Sequence, residues 1–195
     1  VLGDALEWGA LLMSMSDGTA RRFELPRDHV FEDVVPNLAD VTGDGAPEVL
    51  VVETDVNRGA ALAIYGPRGK IAETAHIGQR NRWLAVVGAA DLDGDGIVEI
   101  ATVDRPHLAQ VLQIWQLRGD ELRLVAQAQG VTNHRIGDRQ ISGGIRRCGN
   151  GPEMVLANAA WTRLVVVRWQ AGNLQALDAG PLTDRASFQG ALACN

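Results

Sequence analysis

Short apolar runs recur along the chain, and polar or glycine-containing turns separate them. The runs 49–52, 100–103 and 154–157 are rich in Val, Ile and Leu and show no helical period. Runs of this length bounded by turn residues predict β-strands. Because these strands are apolar on both faces, we expect sheets that are covered on both sides. The sequence therefore predicts an all-β protein built from several small sheets.

The same order of predicted strands repeats four times. Each apolar second strand is followed by a third strand, a glycine-bearing or polar turn, a fourth strand and then the first strand of the next unit. The predicted third strands are 10–14, 60–65, 110–117 and 164–170, the fourth strands are 20–25, 70–77, 122–128 and 174–178, and the first strands are 31–38, 83–90, 141–146 and 187–194.

A nine-residue stretch, 91–99, which we call the second acidic loop, precedes one of the apolar strands. Asp91, Asp93 and Asp95 alternate along it, and glycines between them permit a sharp turn. Calcium takes six to eight oxygen ligands, so this pattern predicts a calcium site. We expect Glu99 and the backbone carbonyl of Ile97 to add ligands.

An EF-hand begins in the same way, but it needs a glutamate at the twelfth loop position, where this chain has Thr102. Its flanks would be helices, whereas here they are strand-like. The pattern recurs at 40–48, the first acidic loop, which starts 51 residues before the second. Its predicted metal-binding residues are Asp40, Thr42, Asp44, Ala46 and Glu48. We expect one or two structural calcium ions; the alternative at each loop is a hydrogen-bonded turn without an ion.

Repeats of about 40–50 residues made of short strands are typical of propeller blades. The two acidic loops resemble those of the FG-GAP and VCBS-type repeats of secreted and cell-surface β-propellers. This resemblance implies a propeller, calcium in some blade loops, an exported protein, and binding more often than catalysis. The chain departs from the family pattern at the ninth loop position, where Glu48 and Glu99 stand instead of aspartate.

The two ends of the chain are in matching phase. Residues 1–4 resemble a second strand, and the chain ends on the predicted first strand 187–194. Joined, they would complete a blade and close a four-bladed ring as one domain, which would remove free sheet edges. The repeats would be approximately 1–30 plus 187–195, 31–78, 83–130 and 141–180 of a single domain, 1–195. The alternative is a slice of a larger, commonly seven-bladed ring.

Composition indicates a globular chain and limits its partners. The chain has 195 residues, of which 46% are hydrophobic, and a net charge of -6, which argues against nucleic acid. No apolar run approaches the roughly 20 residues of a membrane span. Lys70 is the only lysine, and this bias toward arginine, with abundant alanine, favours a GC-rich bacterial source. Because the chain starts at Val1 without a signal peptide, we expect a processed or trimmed N-terminus, which is compatible with export.

Cys148 and Cys194 are the only cysteines. They fall at the same position of neighbouring repeats, where the third and fourth units lack the acidic loop. We predict a disulfide that attaches the C-terminal segment to the preceding blade, and with it a periplasmic or secreted protein. The alternative is two buried free thiols.

Polar residues also repeat at the opposite ends of the strands. Asp4, Glu53, Asp104 and Asn158 follow the second strands, and Arg82, Arg139 and Arg185 are expected near the axis. We predict a ligand face here, with the arginines for an anionic group and Trp8 and Trp161 as stacking platforms. The alternative is a set of interblade salt bridges.

Enzyme signatures are weak in this sequence. It has no G-x-S-x-G or H-E-x-x-H motif, and its four histidines are scattered over separate repeats. The favoured function is therefore a non-catalytic, calcium-stabilised module that binds a glycan or a protein. The alternatives are a polysaccharide lyase or hydrolase that uses the Arg/Asp/Trp face, and a purely structural module. The sequence does not predict the oligomeric state or the ligand.

Overall fold

The computed structural model describes residues 7–149, 151–170 and 172–194. These residues form β-strands and one short helix, so the all-β class is confirmed. The elements are β1 Ala10–Ser14, β2 Ala20–Glu24, β3 His29–Phe31, β4 Asn37–Ala39, β5 Glu48–Asp55, β6 Gly59–Gly66, β7 Gly69–Glu73, β8 Leu84–Ala90, β9 Glu99–Asp104, β10 Val111–Arg118, β11 Glu121–Gln129, β12 Val131–Thr132, β13 Gly144–Arg147, β14 Pro152–Asn158, β15 Arg163–Gln170, β16 Asn173–Pro181 and α1 Arg185–Leu192.

An N-terminal hairpin, β1–β2, is followed by three antiparallel sheets in chain order. The first sheet has the order β3–β5–β6–β7, with β4 also paired to β5. The second sheet has the order β8–β9–β10–β11, and the third has β12 and β13 both paired to β14, followed by β15 and β16. We call the first strand of each sheet its inner strand. The inner strand is β8 in the second sheet, and it is split into β3 and β4 in the first sheet and into β12 and β13 in the third.

The sheets pack face to face through the apolar strands that the sequence predicts. Leu50 and Ile64 of the first sheet share a core with Ile100 of the second. A second core joins Ile114 to Leu156 of the third sheet. Every residue of β5 and β9 is buried, which explains why these strands are apolar on both faces.

Glycines let the inner strands approach their neighbours closely. At Gly88 in β8, which has a φ of 148°, an added Cβ would lie 3.2 Å from the Ile145 side chain of the third sheet. At Gly143 an added Cβ would lie 2.0 Å from the Val155 carbonyl oxygen, so only glycine fits there. Glycine at these two positions therefore permits close contact of β8 with the third sheet and of the segment before β13 with β14.

The prediction of one continuous strand over 31–38 is wrong. The structure has β3 and β4 on either side of a break, because Pro36 has no N–H to donate to a sheet ladder. In the third sheet the inner strand begins as β12, ten residues before the predicted strand 141–146, and resumes as β13. Residues of the two interrupting segments, 32–36 and 133–143, line one depression together.

The prediction of a C-terminal strand over 187–194 is also wrong, because residues Arg185–Leu192 form helix α1. Asp184 and Ser187 form a capping box at its start, and Phe188 and Ala191 are buried against the third sheet. The helix covers the outer face of the third sheet, where the closed ring would place the strands of the N-terminal blade. The strand predicted at residues 1–4, which would pair with 187–194, lies outside the described residues. The closed four-bladed ring is therefore not confirmed.

Within the described part of the chain, no helix has the length and apolar character that crossing a membrane requires.

Candidate functional site

The second acidic loop connects β8 to β9, and its carboxylates bond to the loop's own backbone. Asp91 accepts hydrogen bonds from the N–H groups of Gly94 and Gly96 at 2.7 and 3.1 Å. Asp95 accepts one from the Ile97 N–H at 2.8 Å. Bonds of this kind hold a tight turn together, and they leave other carboxylate lone pairs free for a cation.

Three carboxylates of this loop come together. One oxygen each of Asp91, Asp93 and Glu99 can be chosen so that all three lie within 4.8 Å of one another. Calcium–oxygen distances of about 2.3–2.6 Å place two ligands of one ion no more than roughly 5 Å apart. The three carboxylates therefore fit around a metal ion. Asp95 does not join them in this arrangement.

Glu99 is the buried member of this cluster. Its carboxylate accepts hydrogen bonds from the Leu92 N–H at 2.8 Å and from Gln116 Nε2 at 2.6 Å. Burial raises the pKa of Glu99, these two hydrogen bonds lower it, and the charges of Asp93 and Asp95 raise it further. A cation in the loop would offset this repulsion between carboxylates.

The first acidic loop is held differently. Glu48 accepts hydrogen bonds from the N–H groups of Val41 and Thr42 at 3.0 and 3.2 Å, and Asp40 accepts one from the Gly43 N–H at 2.7 Å. The Ala46 N–H donates to Asp44. Among the residues that the structure describes, this loop has no group of three carboxylates as close as that of the second loop. Metal binding at its predicted residues stays a prediction.

In the third repeat, two arginines surround the corresponding glutamate. Glu153 is buried and pairs with Arg146 Nε at 2.8 Å and with Arg168 Nε. Burial acts to raise the pKa of Glu153, but the two guanidinium groups outweigh it and lower the pKa. Arg146 also donates to the Ala191 carbonyl at the end of α1, at 2.8 Å. Here a guanidinium pair supplies the positive charge that an ion could supply in the second acidic loop.

Cys148 and Cys194 form a disulfide with their Cα atoms 5.6 Å apart, so the predicted pairing is confirmed. Cys148 follows β13 and Cys194 follows α1. The disulfide therefore attaches the C-terminal helix, rather than a strand, to the third sheet.

The five predicted ligand residues line four different depressions. Arg82 lines a small one with His107, and Trp8 lines another with Leu11 and Leu12. Arg139 lies in a third, while Arg185 and Trp161 share the fourth. The structure thus brings together only one arginine and one tryptophan of the predicted set.

The acids and amides that follow the second strands have partners within their own repeats. Glu53 accepts from Tyr65 Oη at 2.8 Å and pairs with Lys70 at 2.7 Å. Asp104 pairs with Arg105 at 2.7 Å. Asn158 accepts from the N–H groups of Thr162 and Arg163 at 2.8 and 3.1 Å, and Asp4 lies outside the described residues. No described carboxylate forms an ion pair with Arg82, Arg139 or Arg185.

The depression that contains Arg185 and Trp161, the Trp161 pocket, has a volume of about 190 Å³. Arg135 was not among the predicted ligand residues; its guanidinium lies 4.5 Å from the centre of the Trp161 ring. Phe188 contacts the same ring edge-on at 6.1 Å. The complete lining is Arg135, Asp138, Ser142, Trp161, Leu182, Thr183, Asp184, Arg185 and Phe188.

A larger depression of about 310 Å³, the axial cavity, lies between the inner strands. Asp33 lines it together with Val87 and Arg139. Sequence reasoning missed Asp33 because it lay inside the strand predicted over 31–38. It accepts a hydrogen bond from the Val52 N–H, and burial raises its pKa to about 7, with a smaller contribution from Glu32. Pro36 was the one local sequence signal that this segment leaves the sheet.

Family comparison agrees with the loop geometry. Residues 40–102 match the FG-GAP-like repeat. The match covers both acidic loops, which carry the resemblance, and the strands β5 to β8 between them. The comparison with curated proteins found no match to this chain.

Solved structures with a similar fold are larger proteins. The rhamnogalacturonan lyase YesW has a TM-score of 0.50 and 16% identity, and the match covers 91% of this chain and 38% of that protein. The rhamnogalacturonan lyase PL11 of Bacillus licheniformis has a TM-score of 0.52 and 17% identity, with 89% of this chain and 38% of that protein covered. The chain thus spans well under half of these structures, and at this identity the likeness concerns the fold alone.

Proposed function

We propose that this protein is a non-catalytic binding module of an exported bacterial protein, which takes a glycan in the Trp161 pocket and is stabilised by calcium in the second acidic loop. The observation that carries the binding site is the convergence of Arg135, Arg185 and Trp161 in one concave pocket. The carboxylate cluster of Asp91, Asp93 and Glu99 supports the calcium site, because calcium prefers oxygen ligands.

The composition of the Trp161 pocket suits an acidic sugar. Arg185 is exposed and has no ion pair with a described residue, so its guanidinium is available for a carboxylate. Asp138 can accept hydrogen bonds from sugar hydroxyls, while Trp161 and Phe188 supply apolar contact. The volume of about 190 Å³ suits one sugar unit, because drug-sized ligands usually occupy about 300–1,000 Å³.

The disulfide supports export, since disulfides persist mainly in oxidising compartments. Two structural neighbours are named as rhamnogalacturonan lyases. Their polysaccharide substrates support a glycan, rather than a protein, as the first ligand class to test here. Binding to the backbone of pectin, which carries uronic acids, is the specific form of this proposal.

The test is calorimetric titration of the protein with oligosaccharides that contain galacturonic acid, in the presence of calcium. We expect Arg185→Ala to weaken binding about 10- to 100-fold, the loss that follows from one charge-assisted hydrogen bond. Arg185 opens helix α1, where a positive charge is unfavourable to the helix dipole, so its removal leaves the melting temperature unchanged or slightly higher.

Arg21→Ala is the matched control, because Arg21 is an exposed arginine on β2 whose side chain bonds only to the adjacent Ala20 carbonyl. If Arg185→Ala and Arg21→Ala bound the oligosaccharides equally well, the binding site would not be the Trp161 pocket. An absence of binding across an array of acidic glycans would favour a purely structural module.

A second candidate function, polysaccharide lyase or hydrolase, is supported by the axial cavity. A carboxyl with a pKa of about 7 can donate or accept a proton near neutral pH, and Asp33 faces this cavity together with the cationic Arg139. Incubation with pectic polysaccharide tests this candidate, with reducing ends and unsaturated products measured. Activity that Asp33→Asn abolishes and Arg185→Ala retains would favour it over the binding module.

A further inference from the structure

The end of the first sheet that lies away from the acidic loops carries a separate cluster of ligand groups. His29 begins β3 and Asp55 ends β5, and the two residues face each other in the sheet register. Ligand atoms of Asp28, His29 and Asp55 can be chosen so that all lie within 4.8 Å of one another. His76, which follows β7, is close to them, with its ring centre 5.8 Å from that of His29. The cluster therefore draws on β3, β5 and the segment that follows β7.

Hydrogen bonds determine which nitrogen of each histidine carries the proton. His29 Nδ1 lies 2.9 Å from Asp28 Oδ1, and His76 Nδ1 lies 2.7 Å from the Gly59 carbonyl oxygen. A carboxylate and a carbonyl can only accept, so each Nδ1 donates. In the neutral rings the lone pairs are then on the Nε2 atoms. Histidine that ligates a metal usually has this arrangement, with its other nitrogen bonded to a carboxylate or a backbone carbonyl.

Both Nε2 lone pairs are available. His29 Nε2 is 3.8 Å from Asp55 Oδ2, too far for a hydrogen bond but close enough for one ion to bridge the two atoms. His76 Nε2 is buried and has no hydrogen-bond partner among the described residues. A buried polar atom without a partner is costly, and a metal ion would satisfy it.

From this geometry we propose that His29 Nε2, Asp55 Oδ2 and His76 Nε2 bind a divalent transition metal ion of the Zn²⁺ class. Two imidazoles and one carboxylate suit zinc, nickel or copper, whereas calcium takes oxygen ligands. A shift of the His76 imidazole toward His29 that keeps its Nδ1 bonded to the Gly59 carbonyl would bring Nε2 to the other two ligand atoms. Asp28 and the Gly59 carbonyl orient the two rings through their bonds to the Nδ1 atoms.

Arg58 competes with the metal ion for Asp55. Its Nε donates to Asp55 Oδ2 at 2.7 Å, so this oxygen must lose the guanidinium before it can bind an ion. The Arg58 side chain is 57% exposed, so it can swing into solvent when the ion enters. Removing Arg58 should therefore tighten metal binding.

The other histidine pair of the chain provides a natural control. His134 Nε2 faces the Asp138 carbonyl at 2.8 Å, and His134 Nδ1 lies 2.7 Å from His107 Nε2. His134 therefore donates from Nε2 and accepts at Nδ1, and His107 donates from Nε2. Three of the four nitrogens in this pair are occupied, so it cannot chelate a metal ion without losing the bond between the rings.

The experiment is titration of the chelator-stripped 195-residue protein with Zn²⁺ by calorimetry and with Co²⁺ by visible absorption, both in excess Ca²⁺ to saturate the acidic loops. We expect one ion per chain. His29→Ala and His76→Ala should each weaken binding at least tenfold, Asp28→Asn should weaken it about tenfold, and Arg58→Ala should tighten it several-fold. His107→Ala should bind as the wild type does.

Circular dichroism of each apo variant shows whether it folds, and His76→Ala and Arg58→Ala keep the test decisive if His29→Ala does not fold. If His107→Ala and His29→Ala weakened metal binding equally, the ion would be binding non-specifically to histidines and not at the proposed site. No binding in excess Ca²⁺ would overturn the proposal and leave His29 as an ion-pair partner of Asp28 and Asp55. Neither outcome affects the glycan site, because Arg185 and Trp161 take no part in this cluster.

Discussion

At the scale of residues, buried carboxylates show how one position in a repeat can be stabilised in different ways. Glu48 bonds to backbone N–H groups of its loop, Glu99 joins two aspartates that can hold an ion, and Glu153 lies between two arginines. All three side chains are buried, and an unpaired buried carboxylate would be costly. The chemistry of the repeat therefore lies in the partners of this glutamate.

Asp33 forms no ion pair with a described residue, and its burial predicts a pH-dependent loss of stability. Its unfolded pKa of about 3.8 lies below its folded pKa of about 7, so the folded state binds an additional proton between these values. The contribution of Asp33 to the free energy of unfolding therefore falls by at most roughly 4 kcal/mol as the pH rises from about 4 to 7. Above pH 7 this contribution no longer changes.

Asp33→Asn should remove this component, because an amide does not titrate and its oxygen can still accept the bond from the Val52 N–H. Urea unfolding of the wild type and the variant at several pH values, in saturating calcium, measures this pH-dependent contribution. We expect the stability of the variant relative to wild type to increase between pH 4 and 7. A difference that is constant over this range would contradict the raised pKa.

At the scale of elements, helix α1 takes the place of a strand. It packs Phe188 and Ala191 on Val155 and Val166 of the third sheet, so it covers the apolar face that a further blade would cover in a propeller. The sequence does carry a helix signal here, since Asp184 and Ser187 have capping-box spacing and Phe188 and Leu192 are one turn apart. The repeat pattern of the preceding strands outweighed this local signal in the prediction.

The disulfide should hold this helix in place. It closes a loop with a sequence separation of 46, which corresponds to about 4 kcal/mol in the chain-entropy model. Cys148→Ser should lower the free energy of unfolding by about 2–4 kcal/mol and the melting temperature by roughly 5–15 °C, measured by differential scanning calorimetry. The reduced wild-type protein is the matched control and should melt with the variant. If the oxidised and reduced proteins melted at the same temperature, the disulfide would contribute nothing to stability.

At the scale of the whole molecule, stability comes from sheets stacked on one another through two main apolar cores. Each of the two acidic loops connects the first strand of its sheet to the buried strand beside it, so an ion there would fix the start of a strand that is buried on both faces. Local order in a loop is thereby coupled to the packing between sheets. This coupling predicts that loop metal binding affects the global melting temperature.

Calcium should raise the melting temperature of chelator-stripped protein, by an amount that corresponds to about 2.7 kcal/mol at a hundredfold excess over Kd. Asp93→Ala should reduce this gain more than Thr42→Ala, because Asp93 belongs to the close carboxylate cluster. Asp17→Ala, in the exposed β1–β2 turn, should retain the full gain. The absence of any calcium-dependent shift in the wild type would count against both loops.

The sequence by itself determined the features that depend on local geometry. Alternating carboxylates with intervening glycines predicted the carboxylate cluster of Asp91, Asp93 and Glu99, because a tight turn brings such neighbours together. Apolar runs of strand length predicted β5, β9 and β14, and the phase of the repeats predicted the pairing of Cys148 with Cys194. Each of these inferences needs only a short stretch of the chain or the spacing of its repeats.

Only the tertiary structure decided which segments cover the exposed faces and which side chains meet across them. Whether residues 185–192 form a strand or a helix depends on what packs on the third sheet, and local propensity is too weak to settle that. His29 and Asp55 come from two strands and His76 from the segment after a third, and Arg135 reaches Trp161 from another segment. Such meetings depend on strand register and on the packing of sheets, because these set the distances between residues that are far apart in the chain.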